Sequence, residues 1–191
     1  MRLIIAAFLL FGAVIPVFSQ QIDFYREEIT FELDSLFFTV NGDYYFRNTS
    51  DNLLSPKVTF PIASSGSQRL LDTIMVFAQE NLANPVPVTL KDTLARFTIN
   101  LPPESERMFK VIYRQRHNGS AAKYILTSTN FWKKPIEDAR YSLVVPHYID
   151  ITGFSIPPDS DTNFGDRRIY YWKKAQFMPD KEFILSFTID N

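Results

Sequence analysis

His117 and His147 are the only histidines, 30 residues apart, and the chain has no cysteine. Zinc sites built from three histidines or from Cys/His sets therefore cannot be assembled, and two His with a carboxylate is the one imidazole site left open. Lack of cysteine also removes disulfides, thiol nucleophiles and acylation at an N-terminal cysteine. His117 belongs to the turn Arg116-His117-Asn118-Gly119, and His147 follows Pro146 at an expected strand end, so both read first as exposed loop residues. Serine hydrolysis needs a hydroxyl held on a sharp strand-to-helix turn, and no G-x-S-x-G occurs; Ser64-Ser65-Gly66-Ser67 reads as a turn after Pro61. Phosphate-cradling G-x-x-x-x-G-K and G-x-G-x-x-G loops are absent too. No cofactor is expected. Carboxylate pairs for glycoside cleavage can converge from distant strands, and no spacing decides that case.

Two features stand apart, a repeated four-residue unit and a second, acidic segment. Phe131-Trp132-Lys133-Lys134 and Tyr171-Trp172-Lys173-Lys174 repeat an aromatic-Trp-Lys-Lys unit and hold both tryptophans of the chain. Indole faces stack on sugar rings and ammonium groups give charge-assisted hydrogen bonds, so Trp132, Lys133, Lys134, Trp172, Lys173 and Lys174 form a candidate ligand surface. The competing reading is that each Trp plugs the core while its lysines mark a solvated rim. The second segment spans residues 159–166, where Asp159, Asp161, Asn163 and Asp166 place oxygen ligands at spacings suited to Ca²⁺. Phe164 stands where the tight turn wants Gly, and Tyr170 where a bidentate Glu belongs, so an ordinary polar loop is expected and no metal.

These residues must be positioned by strands. Leu36, Phe38, Val40, Tyr44 and Phe46 alternate with Thr39, Asn41, Asp43 and Arg47, and Gly42 marks a bulge or a close approach. The same period recurs at Ile29, Phe31 and Leu33, at Phe97, Ile99 and Leu101, at Phe109, Val111 and Tyr113, and at Phe183, Leu185 and Phe187. Turn-rich clusters at 48–51, 64–67, 81–87, 102–106, 118–120 and 157–166 separate the runs. Residues 130–140 contain Pro135 and read as a single helical turn or crossover loop. The pattern predicts an all-β fold, an antiparallel β-sandwich of about eleven or twelve strands. It allows two packed sub-sandwiches, but no linker divides the halves, so residues 20–191 are expected to form one unit. Phe38, Val40, Tyr44, Phe46, Phe60, Phe109, Val111, Leu126, Leu143, Leu185 and Phe187 are its expected core.

Arg2, the apolar run from Leu3 to Ile15, the breaker Pro16 and slim residues at Val17 and Ser19 have the make-up of a signal peptide over residues 1–19, cut before Gln20. The run is too short for a confident transmembrane span. The whole chain carries a net charge of -1, which gives no basic excess for nucleic acid. An outer-membrane barrel fits poorly, because prolines interrupt the strands and outward positions carry charges. Export to the periplasm or the outside follows, with no stable membrane span in the mature chain.

The run Tyr124-Ile125-Leu126-Thr127-Ser128-Thr129, with Trp132, Pro135-Ile136, Ala139, Tyr141, Leu143 and Pro146, resembles a pattern in exported bacterial β-proteins of unassigned activity. Gly42, Phe46-Arg47-Asn48 and Thr59-Phe60-Pro61-Ile62 more loosely resemble the strand-turn-strand entry of VIT-type sandwich domains. The two resemblances imply a sandwich and export, and neither motif carries a catalytic residue. The function expected is thus non-catalytic, in the cell envelope or outside the cell, through contacts with a protein partner. A carbohydrate-binding module using Trp132 and Trp172, with polysaccharide as partner, is one alternative. A hydrolase with carboxylates from distant strands is the other.

Overall fold

The computed structural model describes residues 21–190 except 66, 67, 70, 118 and 119. The leader expected over 1–19 lies outside them, as do Gly66, Ser67, Asn118 and Gly119 of two expected turns. The strands are β1 (Ile22–Leu33), β2 (Phe37–Asn48), β3 (Lys57–Pro61), β4 (Ser64–Ser65), β5 (Gln68–Arg69), β6 (Leu71–Ala78), β7 (Thr89–Lys91) and β8 (Leu94–Thr98). They continue with β9 (Ser105–Arg116), β10 (Ala121–Tyr124), β11 (Ile136–Pro146), β12 (Ile149–Phe154), β13 (Ser160–Phe164), β14 (Arg167–Phe177) and β15 (Phe183–Ile189). A 3-10 turn, Thr127–Trp132, precedes β11.

One seven-stranded sheet, ordered β13-β14-β11-β1-β2-β9-β6, forms a complete layer. Two three-stranded sheets, β10-β15-β12 and β3-β8-β7, pack on it, and β4 and β5 form a hairpin. The fold is thus an all-β sandwich whose second layer is split in two. All pairings are antiparallel except β1 with β11, which run parallel. That parallel pair is reached only after nine intervening strands, a long-range contact invisible to local periodicity.

The small sheets each roof a different part of the long sheet. Phe183 of β15 packs its ring 4.7 Å from Phe31 and 5.0 Å from Trp172, covering the β1, β11 and β14 side. Phe60 of β3 lies 5.7 Å from Tyr44 and 5.8 Å from Tyr113, covering the β2 and β9 side. Both roofs share one buried cluster that runs from Ile22 to Phe187. Ten of the eleven expected core residues are buried, and the eleventh, Phe60, is only partly so. Leu36 is 55% exposed rather than inward, because Asp34 accepts hydrogen bonds from the Leu36 and Phe37 amides and makes this residue part of a turn.

Local departures from strict alternation have physical causes. The expected loop at 157–166 contains β13, which pairs with β14 along Ser160–Phe164 and turns at Gly165 with φ +61°. The expected crossover at 130–140 is a 3-10 turn followed by the start of β11 at Ile136. Gly42 is not a bulge but a close approach: a Cβ there would lie 2.6 Å from the Tyr44 ring. Register shifts lie instead in β6 between Leu71 and Thr73, in β12 between Ile151 and Gly153, and, as a one-residue bulge, in β1 between Phe24 and Arg26.

Candidate binding cleft

That bulge decides where the most unusual side chain of the protein points. Ile22 and Phe24 face inward, and regular alternation would send Arg26 and Glu28 after them. One extra residue reverses the phase, so Glu27, Ile29, Phe31 and Leu33 turn inward instead. Glu27 becomes the only carboxylate or cationic side chain among the described residues that is fully buried. It stands opposite Tyr44 on β2 and Ala139 on β11, whose small side chain leaves room beside it.

Tyr141 donates its hydroxyl hydrogen to Glu27 Oε1. Oε2 has no hydrogen-bond partner among the described residues. The Tyr44 and Tyr124 hydroxyls, 3.1 Å apart, hydrogen-bond to each other close by. Burial pushes the Glu27 carboxyl up to about 7, and the Tyr141 hydrogen bond only partly opposes that rise. Burial likewise pushes Tyr44, Tyr124 and Tyr141 well above the usual phenol range, so all three stay neutral. A buried carboxyl with one unpartnered oxygen costs stability that hydrophobic packing must offset.

Above Glu27 the split in the second layer leaves a cleft of about 490 Å³. Its floor is Phe24 and Glu27 of β1 with Tyr44 and Phe46 of β2; one wall is β3 with Leu94, and the other is Tyr124 with the 3-10 turn. Glu182 holds that turn in place. Its Oε2 accepts from the Leu126 and Thr127 amides at 2.6 and 3.1 Å, and its Oε1 accepts from the Thr127 hydroxyl at 2.7 Å. Burial pushes the Glu182 carboxyl up, but these hydrogen bonds outweigh it and hold it below the usual range.

The aromatic-Trp-Lys-Lys units end in different places. Trp132 lines the cleft, 5.5 Å from the Phe46 ring, with Phe131 beside it 79% exposed. Lys133 takes a left-handed conformation at the end of the turn, and Lys134 pairs with Asp23. Trp172 is 2% exposed and donates its indole N–H to the Ile156 carbonyl at 2.9 Å. It therefore has no face for a sugar, which corrects its place in the expected ligand surface. Lys173 donates its amide N–H to Asp159 Oδ2 at 2.7 Å, and the Lys174 ammonium lies 2.6 Å from Asp159 Oδ1. The acidic segment and the second Trp-Lys-Lys unit thus satisfy each other, because β13 and β14 are neighbours. Asp161 pairs with Arg168 at 2.9 Å, Asn163 sits on exposed β13, and Asp166 is exposed at the turn. No group of three metal-ligating side chains occurs among the described residues.

No known family matches the sequence, and no curated protein matches it. Solved structures do match the fold. A Legionella pneumophila structure described as a "putative nutrient binding protein" superposes with a TM-score of 0.72 at 15% identity, over 88% of this chain and 67% of that one. An M1 zinc metallopeptidase from Deinococcus radiodurans superposes with a TM-score of 0.54 at 10% identity, over 87% of this chain and 42% of the peptidase. At these identities the likeness is one of fold. No helix among the described residues is long and apolar enough to cross a membrane.

Proposed function

We propose that this chain is an exported, non-catalytic binding protein of the periplasm or cell exterior, and that it takes a small, largely apolar molecule into the cleft over Glu27. The observation that carries the reading is an aromatic-lined cleft with a buried, half-satisfied carboxyl in its floor, a common make-up for small-molecule sites. The description of the Legionella neighbour as nutrient binding points the same way. A hydrolase of the two-carboxylate kind needs a second acid, and Glu27 is the only one lining this cleft among the described residues. Contact with a protein partner is the second reading, favoured by Phe131 at the cleft mouth.

The test uses N-phenyl-1-naphthylamine, a naphthalene dye that is uncharged near neutral pH, and a Trp172→Phe variant, which leaves Trp132 as the sole indole. Saturable one-to-one binding that quenches Trp132, and that a cleft-filling Val58→Phe change weakens, supports the reading. Dye binding that leaves Trp132 unquenched speaks against it. N-terminal sequencing of the exported protein checks the export claim, with Gln20 expected first.

A further inference from the structure

We propose that the molecule this cleft takes is an amine, an apolar or aromatic body bearing one protonated nitrogen that pairs with Glu27 Oε2. The inference rests on the binding reading above and adds the ligand's chemical class.

The floor offers one anionic acceptor with an unpartnered oxygen, and no cation. Tyr141 donates to Oε1, the Tyr44 and Tyr124 hydroxyls share a single hydrogen bond, and no charged side chain compensates Glu27 among the described residues. An anionic ligand would meet an uncompensated carboxylate there. A guanidinium forks across both oxygens of a carboxylate, and one of these is already taken, so a point-like ammonium fits better. A metal ion would find a single carboxylate where it needs several ligands. The remaining wall chemistry suits the same choice: Phe24, Phe46, Phe60, Tyr44, Tyr124 and Trp132 present ring faces and edges, and ring faces attract cations. Glu27 is fully covered, so the proposal requires that a covering side chain move aside to admit the ammonium.

Titratable groups around Glu27 are few. Tyr44 faces it from β2, Tyr124 from β10 and Tyr141 from β11; Tyr113 of β9 acts on the first two, and Lys57 of β3 stands at the rim. The four phenols stay protonated, and burial is again the main cause, so Glu27 is the floor group that titrates near neutrality. An ammonium favours ionised Glu27, so binding releases the carboxyl proton when the pH is below about 7. Affinity for an amine should then rise about 30-fold between pH 5.5 and pH 8.5, following the ionised fraction.

Calorimetry on the mature chain with 2-phenylethylamine, 2-phenylethanol and 3-phenylpropanoate separates the outcomes. At pH 8 the amine is expected to bind at least about tenfold more tightly than the alcohol, with the acid weakest. The amine advantage should fall away at pH 5.5, and Glu27→Gln should abolish it while the alcohol still binds. Equal binding of amine and alcohol by the wild-type protein overturns the amine inference and leaves the cleft reading standing. Preference for the acid overturns it in favour of Lys57. If none of the three binds while the naphthalene dye does, the amine inference alone fails; if the dye fails as well, both fail. The wild-type pH dependence decides the matter even if the Gln variant does not fold.

Discussion

Replacing Glu27 by Gln should change how stability depends on pH more than it changes stability itself. The carboxyl titrates at about 7 in the folded chain against 4.5 when unperturbed, and burial is the main cause. A raised carboxyl holds its proton more tightly folded than unfolded, so its contribution is fully favourable below pH 4.5 and is lost as pH rises through 7. A difference of about 2.5 pKa units corresponds to about 3 kcal/mol. The glutamine variant keeps an acceptor for the Tyr141 hydroxyl and cannot ionise, so it should be of similar or slightly lower stability at pH 4.5. By pH 8 it should have gained about 3 kcal/mol relative to the wild type, which for a chain of this size moves the melting temperature by roughly 6–12 °C. Carboxylates held below their usual range, such as Glu106, Asp159 and Glu182, act oppositely at acid pH, but they are common to both proteins and cancel in the difference. Urea unfolding of both proteins every half unit from pH 4.5 to 8.5 measures it. Parallel curves across that range would refute the buried, half-satisfied state of Glu27.

Gly42→Ala should cost about 1–3 kcal/mol, because the new methyl would press on the Tyr44 ring and part its hydroxyl from Tyr124; a lowered urea midpoint at constant slope checks it. Glu182→Ala should leave the Leu126 and Thr127 amides without their acceptor and destabilise by about 1–3 kcal/mol, with faster amide exchange confined to 126–132 as the local signature. Phe109→Ala should cost about 3–5 kcal/mol, since its ring is 2% exposed in the shared core, and an unchanged melting temperature would count against the register of β9.

Strand identity and inward faces were readable because period-two alternation is a local property, and it placed Phe38, Val40, Phe109, Leu185 and their neighbours correctly. The cleft was not readable in the same way. Its floor comes from β1 and β2 and its walls from β3 and the 3-10 turn after β10, segments brought together only by sheet order. Glu27 was missed although a signal exists: inward positions are even at Ile22 and Phe24 and odd from Ile29 onward, and such a change of phase requires an extra residue between them. Period alone does not say whether the extra residue falls before or after Arg26, and so whether Glu27 or Arg26 turns inward. The aromatic-Trp-Lys-Lys repeat shows the converse. Matching local patterns put Trp172 in the core and Trp132 at the cleft, because one sits under Phe154 on a strand paired on both sides and the other ends a 3-10 turn.

The most direct test of the cleft as an amine site is a crystal structure of residues 20–191 grown with 2-(4-bromophenyl)ethylamine, located by the anomalous signal of its bromine. A single strong peak between Phe60 and Trp132, with the amine nitrogen on Glu27 Oε2, is the predicted result. A well-ordered cleft without bromine at saturating amine, or a peak only on the outer face of the long sheet, would contradict it.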